Sequence, residues 1–259
     1  MDTIRHIVVI GGAGKMGRLF VNRSRDAGYT VDAFDKPLDE TVLAAALPSA
    51  DCVVLAVPAD AMSGVADMVS ASMREDAILT DVCSVKVRPM EYMMIAHSGP
   101  VIGTHPLFGP NPDPEDLRVA VTPGRDDVDG TAERRVLAWL STIGFDPFVT
   151  SAERHDKAAA FFQGLNFIST VAYLATQAQD PDIREFMTPS FQRRLRAAKK
   201  LILEDAALFT MLFESNPFSQ DAVRTYRNYL NVAAGGDVDL LIERAAAWWR
   251  EERKAKELK

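Results

Sequence analysis

A short glycine-rich segment near the start of the chain constrains the fold more than any other feature. It follows an apolar, strand-like run at residues 6–10 and opens a helical stretch at residues 15–27. In such a strand-loop-helix, Gly12 permits a tight turn, Gly14 lets a pyrophosphate approach, and Gly17 lets helix and strand pack closely. The helix N-terminus then faces the phosphate charge, although the same motif also forms simple tight turns. We predict dinucleotide contacts from Gly12, Ala13, Gly14, Lys15, Met16 and Gly17.

An acidic residue follows the second predicted strand, residues 30–34. Asp35 comes 18 residues after Gly17, where a carboxylate accepts hydrogen bonds from the adenine-ribose hydroxyls and repels a 2′-phosphate. This pattern favours NAD over NADP as the cofactor. Lys36 opposes that preference because a cation can pair with a 2′-phosphate, so the choice stays open. Val57 and Pro58, which follow the third predicted strand, are expected to border the cofactor.

The first 150 residues alternate apolar runs with helical stretches. Further strands are predicted at residues 51–57, 77–81, 100–104, 117–122 and 147–150, and helices at 59–73, 85–96 and 131–143. Gly144 is expected to end the last of these helices. The alternation is typical of parallel βαβ units. We therefore predict an α/β fold in which residues 1–150 form a Rossmann-type, doubly wound parallel sheet that binds a dinucleotide.

From Ser151 the pattern changes to helical spacing without strand signals. Breaks near residues 180–181, 216–217 and 235–236 divide this part into four or five predicted helices. The helix at residues 155–177 is apolar on most sides, which indicates burial in a domain core or against a second subunit. Residues 151–259 are thus predicted to form an all-helical substrate and dimerisation domain, and we expect a homodimer.

Composition argues against several classes of partner. The formal net charge is -7, and the basic residues are scattered until the C-terminal half, so nucleic acid is not expected. No uninterrupted apolar run reaches the roughly 18 residues of a membrane span, and the start lacks the features of a signal peptide. We expect a cytoplasmic protein without a membrane partner. Cys52 and Cys83 lack CxxC spacing, which speaks against a metal site or disulfide.

One histidine ends a predicted strand at the edge where α/β sheets bind ligands. His105 occupies this position, which favours a functional role. The alternative interpretation is an ordinary buried histidine. Ser84 and Lys86 follow the preceding strand and should lie beside it. A serine hydroxyl can hydrogen-bond a substrate, and a lysine can hold an anionic group. A helix N-cap and a surface lysine are the competing interpretations.

These residues belong to three longer segments that carry a family resemblance. The segments are Asp81-Val82-Cys83-Ser84-Val85-Lys86, Gly103-Thr104-His105-Pro106-Leu107-Phe108-Gly109-Pro110 and Glu153-Arg154-His155-Asp156. Together with the glycine loop they resemble the prephenate dehydrogenases, particularly the dehydrogenase portion of bifunctional chorismate mutase/prephenate dehydrogenases. The similarity runs from about residue 6 to about residue 250.

The resemblance implies an NAD-dependent oxidative decarboxylation of prephenate to 4-hydroxyphenylpyruvate in tyrosine biosynthesis. It implies that His105, in its neutral form, takes the proton of the ring 4-hydroxyl, and that Ser84 hydrogen-bonds near that hydroxyl. Lys86 is implied as a residue of the substrate pocket. His97 and His155 match family histidines, for which we expect supporting or structural roles, with His155 at the substrate site.

The chain departs from the family pattern where substrate carboxylates are recognised. Asn166-Phe167 stands where Arg-His is typical, and Gln192 and Lys200 stand where arginines are expected. Arg193, Arg196 and Lys200, spaced i, i+3 and i+7, are expected to share a helical face and hold a carboxylate, unless that face is simply solvated. Arogenate or 4-amino-4-deoxyprephenate therefore stays open as the substrate.

Two other classes remain possible from the sequence. A β-hydroxyacid dehydrogenase or imine reductase would need a catalytic lysine in the helical half, either Lys157 or Lys200. In a non-enzymatic NAD-binding protein, His105 would be dispensable. The chain leaves no room for a chorismate mutase or ACT-type domain outside residues 6–250, so we expect a monofunctional enzyme. Feedback by tyrosine cannot be inferred from these residues.

Overall fold

A computed structural model describes residues 3–125, 130–176 and 181–250. Its centre is a seven-stranded sheet. The strands are β1 (His6–Ile10), β2 (Thr30–Phe34), β3 (Cys52–Leu55), β4 (Ile78–Asp81), β5 (Val101–Pro106), β6 (Arg118–Arg125) and β7 (Asp146–Val149). Their spatial order is β2-β1-β3-β4-β5-β6-β7. This order brings the carboxyl ends of β1, β3, β4 and β5 side by side at one edge, where ligands bind in doubly wound sheets.

The sheet is parallel except at one pair. β6 runs antiparallel to β5, so the expectation of an entirely parallel sheet is corrected at this position. A loop of residues 107–117 joins the two strands without a crossover helix, and a direct connection of this kind returns the chain in the opposite direction. β7 then pairs parallel to β6 through a helical crossover, α5 (Thr131–Thr142).

Helices cover both faces of the sheet. α1 (Lys15–Asp26) and α5 pack on one face, where Phe20 and Trp139 are buried with ring centroids 5.7 Å apart. The other face carries α2 (Glu40–Ala46), α3 (Met62–Ser70) and α4 (Val87–Ala96). Because the central strands are buried on both sides, they are continuous apolar runs. The sequence did not predict α2, whereas the left-handed Gly144, with φ of 83°, follows α5 as predicted.

The second half of the described chain is helical. It contains α6 (Ala152–Ala159), a π-helical turn (Ala160–Leu165), α7 (Asn166–Thr176), α8 (Pro189–Leu203), α9 (Ala206–Ser215), α10 (Ser219–Ala234) and α11 (Val238–Ala245). The predicted breaks near residues 216–217 and 235–236 fall at the ends of α9 and α10. The break between α8 and α9 was not predicted. Residues 177 and 180, which belong to a predicted helix end and break, lie outside the described residues.

The helical run from α6 through α7 is unusually apolar. Among the described residues, it alone is long and apolar enough to cross a membrane by length and composition, and 22% of its most apolar window is buried. Core helices of water-soluble proteins pass the same test. The first turn of this run carries His155 and Asp156, both buried, which contradicts a purely lipid-facing helix.

Candidate active site

A cavity of about 240 Å³ opens at the carboxyl ends of β1 and β3. It is lined by Ile10, Gly11, Gly14, Asp35, Lys36, Leu38, Ala56, Val57, Pro58 and Val65. Gly14, Asp35, Val57 and Pro58 were predicted to contact a cofactor, and the fold brings these four together. The cavity lies at the edge of the sheet where dinucleotides bind in this class of fold.

The tight turn of the glycine loop is made by Gly11, which was not among the residues predicted to form it. Gly11 has a φ of 86°, and a Cβ atom there would lie 2.3 Å from the Ala56 carbonyl oxygen. Its N–H and that of Gly12 donate to the Phe34 carbonyl, at 2.8 and 3.2 Å. The assignment of the tight turn to Gly12 is therefore wrong. Gly12 is needed for a different reason, since a Cβ there would lie 2.7 Å from the Cβ of Ala33.

The third glycine of the motif has the predicted packing role. A Cβ on Gly17 would lie 2.1 Å from the Gly11 carbonyl oxygen, so only glycine lets α1 approach the end of β1 this closely. Gly14 occupies the N-cap of α1 in an extended conformation, and no side chain caps the helix there. Lys15 and Ala13 are exposed, while Met16 packs partly against the sheet. The arrangement presents a helix N-terminus to the cavity, which favours an anionic ligand.

Asp35 is exposed at the cavity and already contacts the loop. Its Oδ2 accepts from the Ala13 N–H at 2.8 Å, and its Oδ1 accepts from the Lys36 N–H at 2.9 Å. The carboxylate is therefore oriented by two backbone donors at the mouth of the cavity. Both the anion and the adjacent Lys36 side chain line the same space, as the sequence predicted.

Gly17→Ala tests the packing of the loop, with Gly64→Ala as its control. The first change forces a methyl group against backbone, and we expect it to lower the free energy of unfolding by about 1–3 kcal/mol. Gly64 lies inside α3 with open space around it, so alanine there should raise stability by about 0.5–1 kcal/mol. Urea denaturation measures both values. Equal effects of the two changes would contradict the proposed contact.

A second group of polar residues gathers near the carboxyl ends of β4 and β5. His105 is buried on β5, and its Nδ1 lies 2.8 Å from Nε2 of His155 on α6. Nδ1 of His155 lies 2.8 Å from Oδ1 of Asp156. The three side chains thus form a continuous hydrogen-bonded chain from the helical half to the strand. His155 was predicted near the substrate, and the structure places its imidazole against that of His105.

Asp156 was not singled out from the sequence, yet its carboxylate accepts backbone hydrogen bonds from another helix. Its Oδ1 accepts from the Lys86 N–H at 2.7 Å, and its Oδ2 accepts from the Val87 N–H at 2.8 Å. These are the first amides of α4. Asn216 donates to the Asp156 backbone carbonyl at 2.8 Å. The available signals were the adjacent His155 and the place of Asp156 in the segment Glu153-Arg154-His155-Asp156, because an anion that caps a helix distant in sequence leaves no local pattern.

Lys86 does not occupy the position predicted for it. The side chain is fully buried, and its Nζ contacts Asp81 Oδ2 at 2.5 Å and the Thr104 carbonyl at 2.7 Å. Burial raises the pKa of Asp81, while the Lys86 ammonium and the N–H groups of Cys83 and Thr104 oppose that rise. The assignment of Lys86 as a substrate ligand is corrected, because its charge is already committed to a buried ion pair.

The environment of His105 favours its neutral form. Burial holds the pKa of its imidazole well below the usual range, and the Lys86 ammonium, like any positive charge on His155, lowers it further. A neutral imidazole keeps one nitrogen lone pair and can accept a proton. Ser84 is half-buried in the segment between β4 and α4. His97 is buried at the far end of α4 and bonds the Ala77 carbonyl at 2.8 Å, which is a structural contact.

The predicted carboxylate-binding residues of α8 remain apart from this group. Arg193, Arg196 and Lys200 are exposed, and α8 packs mainly against α7 and α9. Lys200 Nζ lies 3.8 Å from Asp205. Within the described residues, no contact joins these three cations to His105. Their expected role in substrate binding is therefore unsupported in the single chain.

An open cleft of about 490 Å³ adjoins the loop that follows His105. It is lined by Leu107, Phe108, Gly109, Asn111, Pro112, Asp113, Asp116 and Arg118. In the described part of the chain, no group of three histidine, cysteine or acidic residues has the geometry of a metal site. The chemistry available at this edge is therefore that of an anion-binding loop and a buried, neutral imidazole.

Sequence comparisons identify related proteins over most of the chain. A family model described as the nucleotide-binding domain of prephenate dehydrogenase matches residues 22–119. The T-protein of Enterobacter agglomerans is 33% identical over 230 residues, which cover 86% of this chain and 60% of that protein. The T-protein of Haemophilus influenzae is 29% identical, over 80% of this chain and 55% of that protein. The chain thus spans somewhat more than half the length of these relatives.

A further relative has a different named substrate. The 4-amino-4-deoxyprephenate dehydrogenase of Streptomyces pristinaespiralis is 29% identical over 64% of this chain and 61% of that protein. The same family of sequences therefore includes more than one substrate.

Two solved structures share the fold over nearly the whole chain. Prephenate dehydrogenase from A. aeolicus, in complex with hydroxyphenyl propionate and NAD+, matches with a TM-score of 0.75 and 20% identity, covering 100% of this chain and 99% of that chain. Synechocystis arogenate dehydrogenase matches with a TM-score of 0.76 and 19% identity, covering 97% and 99%. These matches confirm the predicted fold class, a Rossmann-type sheet followed by a helical region.

Proposed function

Because the chain belongs to the prephenate dehydrogenase family, we propose that it is a cytoplasmic, NAD-dependent enzyme of tyrosine biosynthesis that oxidises and decarboxylates prephenate to 4-hydroxyphenylpyruvate. The observation that carries this proposal is the buried, neutral His105 on the edge of the sheet that also holds the glycine-loop cavity. A base and a site for a hydride acceptor are the two parts that the oxidation of a ring alcohol requires.

The geometry of the sheet suits a dinucleotide that reaches from the cavity to His105. The cavity lies at β1 and β3, and His105 lies on β5, three strand spacings from β1. Neighbouring strands are about 4.8 Å apart, so the two sites are separated by about 14 Å across the sheet. An extended dinucleotide would follow this edge, with its pyrophosphate at Gly14 and its adenine ribose at Asp35. When bound, NAD supplies the hydride acceptor.

The residues then have simple tasks in the reaction. Nε2 of His105 takes the proton of the ring 4-hydroxyl while hydride leaves the ring carbon that bears this hydroxyl. Loss of carbon dioxide restores aromaticity to the ring and supplies the driving force, and the protonated imidazole returns its proton to the phenolate oxygen. Ser84 is the proposed hydrogen-bonding partner of that oxygen. The protein positions the substrate and moves one proton, which is the task expected of it in a cofactor-dependent reaction.

The residues at positions 166 and 167 bear on the substrate side chain. Asn166 is exposed, and Phe167 stacks on Phe209 with centroids 5.6 Å apart, so neither supplies the cation expected for a second carboxylate. Arogenate and 4-amino-4-deoxyprephenate, whose amino groups would require different partners, are therefore the alternative substrates. A catalytic lysine is not favoured, because Lys157 is exposed and pairs with Glu153 at 2.6 Å.

A direct assay tests the proposed function. Purified protein is mixed with prephenate, arogenate or 4-amino-4-deoxyprephenate and either NAD or NADP, and formation of reduced cofactor is followed by absorbance. We expect turnover with prephenate and NAD. No reduced cofactor with any of the three substrates would remove the proposed function, whereas preference for an amino-substituted substrate would change only the substrate.

His105→Asn and His97→Asn form the matched controls for this assay. Asparagine at position 105 should lower kcat by at least about 100-fold and leave the Kd of NAD unchanged. Asparagine at position 97 should retain turnover because that histidine makes only a structural contact. The working form of His105 is unprotonated, so wild-type activity should fall only as the pH drops below the ordinary histidine pKa of 6.5. Retained turnover in His105→Asn would exclude His105 as the base.

Asp35→Ser tests the orientation of the cofactor, with Asp32→Ser on the preceding strand β2 as its control. Loss of the Asp35 carboxylate should raise the Kd of NAD by roughly 10- to 100-fold, because hydrogen bonds to a charged group contribute about 1.5–3 kcal/mol. Binding of NADP should be little changed or stronger. Asp32 lies outside the cavity and contacts His6, so its replacement should leave both affinities unchanged. Equal weakening of NAD and NADP by Asp35→Ser would exclude a contact with the ribose.

The helical half carries an exposed apolar surface that we propose is covered by a second copy of the chain. Phe162 and Trp248 are 60% and 63% exposed, and Trp248 also stacks on Phe161 with centroids 6.1 Å apart. Contiguous aromatic surface of this kind marks interfaces in soluble proteins. The long apolar run of α6 and α7 lies in the same part of the chain, which supports a homodimer through the helical half rather than a membrane contact.

Sedimentation velocity tests the dimer. The wild-type protein should sediment with twice the mass of one chain. Phe162→Glu should shift the protein to a single chain at micromolar concentration, since a charge at the centre of an apolar interface is costly. Ile95→Glu is the control, because Ile95 is 82% exposed on α4 in the other half of the chain. A wild-type monomer, or a dimer that both variants leave intact, would contradict this interface.

A further inference from the structure

We propose that Asp156 is a positioning residue that acts through His155 to hold the His105 imidazole in the tautomer able to accept a proton. The inference rests on the proposed role of His105 as the base and goes beyond it, because Asp156 lies on a different element and does not touch His105. Three features carry it: the acceptors and donors along the chain of three side chains, the burial of all three, and the identity of the groups around them.

The argument begins at the carboxylate. An ionised carboxylate accepts hydrogen bonds and cannot donate them. Asp156 receives the N–H groups of Lys86 and Val87 at 2.7 and 2.8 Å, so the ionised form is the one that its backbone partners require. These amides form the N-terminal end of α4, which also favours an anion. The third contact of the carboxylate, 2.8 Å from Nδ1 of His155, must therefore have its proton on the histidine.

The position of the proton on His155 in turn determines the position of the proton on His105. A neutral His155 with its proton on Nδ1 has a lone pair on Nε2. That Nε2 lies 2.8 Å from Nδ1 of His105, so His105 must donate through Nδ1. In neutral His105 the remaining nitrogen, Nε2, then has no proton and can accept one from a substrate hydroxyl. With the opposite set of tautomers, His105 would carry its proton on Nε2 and could not act as a base.

The surrounding charges make Asp156 the relevant anion. At the end of β4 and the start of α4, Asp81 and Lys86 form a buried ion pair, so the Asp81 carboxylate already has a cation as its partner. From α6, His155 and Asp156 approach His105 directly or through one ring. When His105 takes a proton, the carboxylate of Asp156 is the anion that stabilises the new cation through His155. Removing it should therefore affect both the resting tautomer and the protonated intermediate.

Asp156→Ala and Asn216→Ala form the matched pair of variants. Each removes a hydrogen bond that holds the same turn of α6, but Asn216 bonds only the Asp156 backbone carbonyl and leaves the carboxylate in place. We expect Asp156→Ala to lower kcat by at least about 100-fold with the Kd of NAD unchanged. Asn216→Ala should stay within about 10-fold of the wild type, even where the two variants lose similar thermal stability.

A spectroscopic measurement separates positioning from a general loss of structure and does not depend on turnover. Nitrogen-15 NMR of labelled protein reports which ring nitrogen of each of the four histidines carries the proton. Single substitutions of the histidines assign the signals. His105 and His155 should both be protonated at Nδ1 in the wild type and in Asn216→Ala. In Asp156→Ala, the signal of His105 should shift toward protonation at Nε2.

A second pair of variants tests the intermediate ring. His155→Gln keeps an amide oxygen that can accept the Nδ1 proton of His105, whereas His155→Leu removes the acceptor at similar volume. We expect the glutamine variant to retain at least tenfold more turnover than the leucine variant. Equal kcat values for Asp156→Ala and Asn216→Ala, together with an unchanged His105 tautomer, would overturn the proposal. Wild-type protein without activity but with the expected tautomers would instead refute only the proposed function.

Discussion

The contact between Asp156 and the first amides of α4 is the interaction on which the arrangement of the site depends. It joins the helical half to the nucleotide-binding half, since α6 supplies the carboxylate and α4 supplies the Lys86 and Val87 N–H groups. Orphan amides at a helix N-terminus need an acceptor, and a buried carboxylate needs donors. The carboxylate from the helical half therefore accepts from the α4 amides, and those amides supply the donors that the buried carboxylate needs. The same contact places His155 against His105, so the site is completed only when the two halves meet.

The Asp81–Lys86 pair supports that contact from the side of the sheet. Lys86 reaches back from the start of α4 to Asp81 and to the Thr104 carbonyl, and Thr104 immediately precedes His105. Breaking a buried pair of this kind usually costs about 3–5 kcal/mol, because one charge is left uncompensated. The pair thereby fixes the ends of β4 and β5 and the first turn of α4 relative to each other. The Lys86 ammonium of this pair also disfavours a positive charge on the nearby His105 imidazole.

The sequence predicted those parts of the structure that depend on local patterns. The strands, the helices around them other than α2, and Gly144 follow from the periodicity of apolar residues and from turn chemistry. The strand direction of β6, the tight turn at Gly11 and the role of Lys86 could not be predicted in this way. Each depends on a partner distant in sequence: β5 for β6, Ala56 for Gly11, and Asp81 with Thr104 for Lys86. A lysine near a predicted active site is interpreted as a substrate-binding residue when its buried counter-ion is unknown.

The same reasoning explains why Asp156 was overlooked while its neighbour was noticed. His155 belongs to a residue type that titrates near neutral pH, so sequence reasoning considers it, whereas an aspartate in the first turns of a helix is ordinary. Its importance arises because its acceptors are used by three donors, two of which belong to another helix 69 and 70 residues away. If His105 is the base, as we propose, it is oriented by the packing of the helical half against the sheet rather than by its own strand. The proposal implies that changes in the helical half can alter the proton-accepting nitrogen without replacing a residue that contacts the substrate.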